Sequence, residues 1–215
     1  LEVLSPNRCQ RCGLQGESLC GRCKKYLLGT NPGYAISGID GFSRVIVGGV
    51  KEGLLSVLLK QYKYQGRRDL AHVLARKVWE VAECELFETS EMGEVVIVPL
   101  PTIRRHIRER GFDHTLRLCF ELEQVLQKKL KGYGISVEYQ SLLVRKNKTV
   151  QVGKEKKERV KQAEKAYGIR EGVEIGNKTL YILVDDVTTT GASLAAAKKI
   201  LQADRVWAAV LMKER

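Results

Sequence analysis

The chain of 215 residues has 44% hydrophobic and 29% charged residues, the balance of an ordinary soluble globular protein. Its 4 Pro and 20 Gly exclude a collagen-like or linker-like chain, and its longest apolar runs are shorter than the ~18 residues that span a membrane. The formal net charge of +12 favours polyanionic partners such as nucleic acid, phosphorylated metabolites or an anionic membrane surface. No basic, apolar leader opens the sequence, so we predict a cytoplasmic protein, with the inner face of the membrane as a further location.

The first predicted element is a metal-binding module over residues 1–33. Four of the six cysteines form two Cys-x-x-Cys pairs with seven residues between them. Each pair directs two thiolates at one centre, and two pairs complete a tetrahedron of sulfur around a structural Zn²⁺. The predicted ligands are Cys9, Cys12, Cys20 and Cys23. Redox-active dithiols or disulfides are the alternative.

The rest of the chain, residues 34–215, alternates predicted strands with predicted helices. The β-branched run Val95–Val98 and the apolar run Leu180–Val184 are typical of buried strands in a parallel sheet. Asp113 is a suitable N-cap for a helix that reaches Lys131. Further predictions are a strand within 135–144, a charged helix over 154–167, a helix over 193–203 and a strand over 205–212. This alternation predicts an α/β fold with a parallel sheet flanked by helices.

The segment after the second buried strand has the composition of a phosphate-binding loop. Asp185 and Asp186 are followed by a hydroxyl- and glycine-rich turn, Thr188–Ser193, and then by a helix. Ligands of open α/β sheets bind beyond the carboxyl ends of the strands. There the turn would offer N–H groups and hydroxyls to a phosphate, and the carboxylates would accept hydrogen bonds from ribose hydroxyls. An ordinary capped βα turn with exposed acids is the alternative.

Several motifs together resemble one family. The segment Tyr181–Leu194 resembles the signature by which type I phosphoribosyltransferases bind phosphoribosyl pyrophosphate (PRPP). The other matching motifs are Lys63-Tyr-Gln-Gly66, Val98-Pro99-Leu100-Pro101, Arg104-x₃-Arg108-x-Arg110-Gly111-Phe112 and the two Cys pairs. In this order they resemble the ComF family of the ComFC type, phosphoribosyltransferase-like proteins linked to DNA uptake in natural transformation. Asp113-His114 and Gln162 depart from the usual Asn-Gln and Asn of that family.

The resemblance implies a type I phosphoribosyltransferase-like fold and Mg²⁺-dependent transfer of phosphoribosyl from PRPP to a nitrogenous acceptor. Asp185 and Asp186 would hold the ribose hydroxyls, directly or through Mg²⁺, and Arg108 and Arg110 would join them in catalysis. The residues implied in binding the 5′-phosphate are Thr188, Thr189, Thr190, Gly191, Ala192 and Ser193, and those implied in binding pyrophosphate are Leu100, Pro101, Arg104 and Arg105.

A basic segment, 145–165, keeps a second function open. It contains nine Lys or Arg and three Glu, a net charge of +6 that is half of the chain's excess. Its candidate contacts to single-stranded DNA are Lys156, Lys157, Arg159 and Lys161. A solvated helix face is an equally good interpretation. The alternative to an enzyme is therefore a non-catalytic DNA-binding competence factor that uses the PRPP fold as a scaffold or sensor, with a competence helicase or other DNA-uptake proteins as partners.

Overall fold

The computed structural model describes residues 7–39, 41–87, 93–146 and 166–214. The strands are β1 (Tyr34–Ile39), β2 (Phe42–Val47), β3 (Glu94–Pro99), β4 (Ser136–Tyr139), β5 (Leu143–Arg145), β6 (Tyr167–Ile169), β7 (Thr179–Thr188) and β8 (Val206–Lys213). The helices are α1 (Gly21–Thr30), α2 (Gly53–Tyr64), α3 (Ala71–Phe87), α4 (Arg104–Arg110), α5 (His114–Leu130) and α6 (Ala192–Leu201). No helix among these residues is both long enough and apolar enough to cross a bilayer.

Six strands form the central sheet in the order β1-β2-β8-β7-β3-β4. Every neighbouring pair is parallel except the β1–β2 hairpin, and β5 and β6 form a separate antiparallel pair. The predicted α/β fold with a mostly parallel, helix-flanked sheet is therefore confirmed. The predicted strands Val95–Val98, Leu180–Val184 and 205–212 lie in the inner strands β3, β7 and β8, because their continuous apolar runs allow burial on both faces. The strand predicted within 135–144 is the edge strand β4.

Side chains alternate between the two faces of β7. Leu180, Ile182 and Val184 pack in the same core cluster as buried residues of α3 and α5. Tyr181 and Leu183 pack in a second cluster with buried residues of α6. This period of two sends neighbouring residues of the strand into different environments.

The sheet has a topological switch point between β3 and β7. The chain leaves β3 through α4 and α5 and returns as β4 on one side, whereas it leaves β7 through α6 and returns as β8 on the other side. The two strands are in register with Pro99 opposite Val184, and the N–H of Leu100 donates to the carbonyl of Val184 at 2.9 Å. Connections that diverge to opposite faces leave a crevice at the carboxyl ends of the two strands.

The N-terminal residues pack on this α/β body. Cys23 and Leu27 of α1 are fully buried within the cluster that includes α2 and α3. The side chain of Asn31 accepts from the N–H of Val50 at 2.9 Å and donates to its carbonyl at 2.8 Å. The ammonium of Lys77 donates to the carbonyl of Leu28 at 3.2 Å, near the C-terminus of α1, where a cation is favoured.

Two of the predicted helices have different outcomes. Asp113 caps α5, accepting from the N–H groups of Thr115 and Leu116, each at 3.1 Å, so the predicted start of that helix is confirmed. The helix predicted over 154–167 lies outside the described residues except at its end. There the prediction is wrong, because Tyr167 starts β6 and pairs with Arg145 instead of completing a helical turn.

Candidate functional site

The four N-terminal cysteines form one cluster. All four sulfurs lie within 4.8 Å of one another, and the Sγ atoms of Cys12 and Cys20 are 3.7 Å apart. Four sulfurs placed tetrahedrally at 2.3 Å from one zinc would be about 3.8 Å apart, so the cluster fits that ion. The five cysteines whose side chains the structure describes are all free thiols. The cluster therefore supports the metal interpretation of the two Cys pairs.

Burial and hydrogen-bond donors act in opposite directions on the thiols of this cluster. Burial raises the pKa of Cys9, but N–H donors led by that of Cys20, at 3.5 Å from its sulfur, lower it on balance to about 6. Burial raises the pKa of Cys23 to about 12, although Arg11 donates to its sulfur at 3.8 Å. A bound cation would favour the thiolate form of all four ligands.

The second group of candidate residues lies at the carboxyl end of β7. Asp186 is buried and faces the α2 and α5 side of the sheet, where it forms an ion pair with Lys63 and lies beside the ring of His114. The distance from its Oδ2 to His114 Nε2 is 3.2 Å, and its Oδ1 accepts from the N–H of Val187 at 2.8 Å. Burial raises the pKa of Asp186, but the hydrogen bond from His114 and the charge of Lys63 outweigh it and hold the pKa below its usual range. Asp186 is therefore ionised and enclosed by partners from this chain.

Asp185 is in the opposite situation. By the alternation along β7 it faces the α6 side, and it is half-buried there. Burial, reinforced by the charge of Asp186, raises the pKa of Asp185 well above its usual range. Tyr167 of β6 lies on this side too, hydrogen-bonded to Ser193 and within 3.4 Å of Arg145. The two adjacent acids thus line different sides of the crevice, with their pKa values shifted in opposite directions.

The turn between β7 and α6 has the geometry of a capped helix start. Gly191 is the N-cap with φ 74°, in the left-handed region that favours glycine. Its N–H donates to the hydroxyl of Thr188 at 3.2 Å, and the N–H of Ala192 donates to the hydroxyl of Thr190 at 3.4 Å. Thr189, Thr190 and Ser193 are exposed at the crevice.

The predicted arginines separate into two groups. Arg110 lies beside the neighbours of Asp186, because its guanidinium is 2.9 Å from Nδ1 of His114 and 5.3 Å from the centre of the Tyr64 ring. Arg105 pairs instead with Glu109 at 2.6 Å on the exposed face of α4, and Arg104 and Arg108 are exposed as well. The predicted pyrophosphate residues Leu100 and Pro101 follow β3 directly and so lie beside β7. The predicted DNA contacts at 156, 157, 159 and 161 lie outside the described residues.

Sequence analysis missed two residues of this cluster. It named Lys63 only as part of a motif and His114 only as a departure from that family's usual residues, whereas both contact Asp186 and His114 is buried. Lys63 is in the last turn of α2 and His114 in the first turn of α5, so neither is near Asp186 in the chain. The available signal was the departure at Asp113-His114 from the family's usual Asn-Gln.

Comparison with protein-family models gives no match for this chain, and comparison with curated proteins gives none. The resemblance to the ComF family therefore depends on the motifs in the sequence.

Proposed function

We propose that this chain is a PRPP-binding, phosphoribosyltransferase-like protein of the ComF family that acts in DNA uptake. Its reaction would be the Mg²⁺-dependent transfer of phosphoribosyl from PRPP to a nitrogenous acceptor. The ribose C1 would lose pyrophosphate and form a bond to the acceptor nitrogen. The fold would be that of a type I phosphoribosyltransferase, with the Cys₄ module as its structural zinc site.

One observation carries the proposal: both predicted phosphate-binding segments lie at the switch point. The segment after β3, with Leu100 and Pro101, and the segment after β7, with Thr188–Ser193, flank the same crevice. A ligand with two separate phosphate groups, such as PRPP, requires two such segments on one side of a sheet. The start of α6 favours an anion because the positive end of the helix dipole lies there.

The two acids would have separate tasks. Asp185 would accept hydrogen bonds from the ribose hydroxyls, and its carboxylate is of the type that Mg²⁺ binds together with substrate phosphates. Bound in that way, Mg²⁺ would neutralise charge on the departing pyrophosphate. Asp186 would act indirectly, since its oxygens are engaged by Lys63, His114 and Val187. Arg110 would face the pyrophosphate as a further cation.

Calorimetric titration of the full chain with PRPP and Mg²⁺ tests the proposal. We expect saturable binding that Asp185→Asn weakens by roughly 10- to 100-fold, since a hydrogen bond to a charged group is worth about 1.5–3 kcal/mol. The matched control is Asp204→Asn, an exposed aspartate just before β8 and so at the amino-terminal edge of the sheet, which should leave the affinity unchanged. Absence of binding to the wild-type chain would contradict the proposal.

A second candidate function, single-stranded DNA binding, is favoured by one surface. Tyr64 is 68% exposed beside Arg110, and the exposed Arg104 and Arg108 follow along α4. An exposed ring next to cations suits base stacking and phosphate contacts. Fluorescence anisotropy with a labelled oligonucleotide should show binding that weakens with salt and that Tyr64→Ala reduces roughly tenfold, since stacking is worth about 1–3 kcal/mol per base. The control is Tyr133→Ala, which removes another exposed tyrosine and should leave the affinity unchanged. Tyr133 lies just before β4, at the amino-terminal end of the parallel strands.

A further inference from the structure

Two polar contacts join the Cys₄ module to the end of α2 and the segment that follows it. Gln10 lies within the first Cys pair, and its side-chain oxygen accepts from the side-chain amide of Gln61. Ser18 lies just before the second Cys pair, and its hydroxyl accepts from the guanidinium of Arg67. The N–H of Gln10 donates to the carbonyl of Ser18 at 2.9 Å, so the two contact residues are also tied to each other. Both contacts therefore come from the part of the module whose turns carry the four thiols.

The segment that receives these contacts is the connection between α2 and α3, residues 65–70. The carbonyl of Gln61 accepts from the N–H of Gln65 at 2.9 Å and from that of Arg67 at 3.4 Å, which forms the turn at the end of α2. Gln61 and Arg67 thus belong to the backbone of this turn and also carry the side chains that contact the module. A change in the module's own turns therefore acts on the conformation of residues 65–70.

The same segment holds the turn between α4 and α5. Arg68 donates to the carbonyl of Gly111 at 2.8 Å, and its guanidinium carbon lies 4.9 Å from the centre of the Phe112 ring. The ring of Tyr62, near the end of α2, packs edge-on against Phe112 with 5.4 Å between the ring centres. Arg110 directly precedes Gly111, so these contacts fix the backbone that carries Arg110.

The end of α2 also contacts the buried acid of the crevice. Lys63 pairs with Asp186, and the hydroxyl of Tyr62 donates to the backbone carbonyl of His114 at 2.6 Å. Lys63 is two residues from Gln61, which contacts the module. One continuous series of contacts thus leads from the Cys₄ module to the groups that line the crevice, and energetic coupling between two sites can follow such a series.

We infer that the Cys₄ module is an allosteric support of the crevice: with its metal bound it holds residues 65–70 against the α4–α5 turn, and loss of the metal releases them. A small Cys₄ module forms its turns only when the metal is bound, so Gln10 and Ser18 keep their places only then. Metal binding and ligand binding favour each other, because both favour the conformation in which residues 65–70 are held. The inference rests on the proposed function only in taking PRPP as the ligand of the crevice.

Two substitutions outside the module separate these contacts from the metal itself. Gln61→Leu removes the amide that donates to Gln10, and Arg67→Met removes the guanidinium that reaches Ser18. The double variant keeps all four cysteines and should retain its zinc, which elemental analysis checks. The matched control is Glu17→Gln, which removes an exposed ion pair within the module.

Hydrogen exchange of the full chain without ligand measures the release of the segment. The N–H groups of Gln65, Arg67 and Gly111 are hydrogen-bonded in the structure, and Gly111 is the decisive one because neither substitution lies near it in the chain. In the zinc-loaded double variant and in the zinc-stripped wild type, these amides should exchange roughly tenfold faster than in the zinc-loaded wild type. The amides of β7 and β8 should keep their wild-type rates. Unchanged exchange at Gly111, or an equal increase throughout the sheet, would overturn the inference.

Calorimetric titration with PRPP and Mg²⁺ measures the effect on the crevice. The zinc-loaded double variant should bind PRPP roughly tenfold more weakly than the wild type, whereas Glu17→Gln should keep the wild-type affinity. A double variant that exchanges faster at Gly111 and yet binds PRPP as tightly as the wild type would also overturn the inference. If PRPP binds to none of the proteins, the proposed function fails, and the exchange of the Gly111 amide then decides the inference by itself.

Discussion

The Cys₄ cluster and the Asp186 cluster solve opposite electrostatic problems. The first gathers four ligands of one type, which repel one another as thiolates and require an added cation. These ligands are Cys9, Cys12, Cys20 and Cys23. The second gathers an anion and its own compensating cation, Lys63, with the ring of His114 beside them, so no added ion is needed to neutralise Asp186. The first site depends on what it binds, whereas the second is complete within the folded chain.

The two clusters also differ in how far along the chain their members lie. The cysteines belong to one short segment, and the tight turns between them set the geometry locally. Lys63, His114 and Asp186 come from α2, α5 and β7 and meet only because those elements pack together. This contrast predicts that metal removal disrupts a local module, whereas breaking the Asp186 pair destabilises the whole domain.

Loss of the metal should have the largest effect. We expect about one zinc per chain by elemental analysis, and Cys23→Ala should abolish it, since zinc binding supplies about 10–16 kcal/mol in comparable small modules. Cys119→Ala removes a buried cysteine outside the cluster and should retain the metal. A metal-free chain whose amides 7–33 stay protected in hydrogen exchange would contradict this prediction.

Breaking the Asp186 pair should have the next largest effect. Asp186→Asn leaves the charge of Lys63, whose side chain is only 14% exposed, without its partner. The free energy of unfolding should fall by about 3–5 kcal/mol in chemical denaturation. Adding Lys63→Met should restore most of the loss, because the buried charge is then gone. If the double variant is as unstable as the single one, the ion pair is not the cause.

Substitution of the adjacent acid, Asp185, should change stability in the opposite direction. The pKa of Asp185 is raised in the folded state, so its ionisation disfavours folding at neutral pH, and Asp185→Asn should raise the midpoint of thermal unfolding at pH 7. The pKa of Asp186 is lowered, so its contribution is present above the unfolded value of about 3.9 and is lost as the pH falls through the lower folded value. The free energy of unfolding of Asp186→Asn should accordingly depend less on pH in that acidic range than that of the wild type. Equal shifts from the two substitutions would contradict the assignment of the acids to different faces.

The smallest predicted effect tests the turn between α4 and α5. Gly111 ends α4 with φ 73°, and its carbonyl accepts from Arg68 at 2.8 Å. Gly111→Ala should cost about 1–2 kcal/mol, because a side chain is strained in the left-handed region. Gly93→Ala is the control, since a Cβ there meets open space and its φ is not positive. If both variants lose the same free energy of unfolding in chemical denaturation, the left-handed conformation of Gly111 is not the cause of the loss.

Features that depend on local spacing were predictable from the sequence. The Cys pairs, the N-cap at Asp113 and the buried apolar strands each follow from neighbouring residues, because turns, helix caps and the period of a strand are local properties. The turn between β7 and α6 belongs with them, since hydroxyls and Gly191 mark a helix start. The sequence therefore determined the fold class and the position of the crevice segments along the chain.

Tertiary structure decided how the charged groups are partnered. Asp185 and Asp186 look equivalent in the sequence, but the alternation of a strand packed on both faces separates them. Asp186 lies between the ends of α2 and α5, beside His114, and is neutralised by Lys63. Asp185 faces α6, and burial raises its pKa. Coulomb energies depend on distance and burial, which long-range packing sets, so no local pattern in the sequence specifies these two pKa shifts.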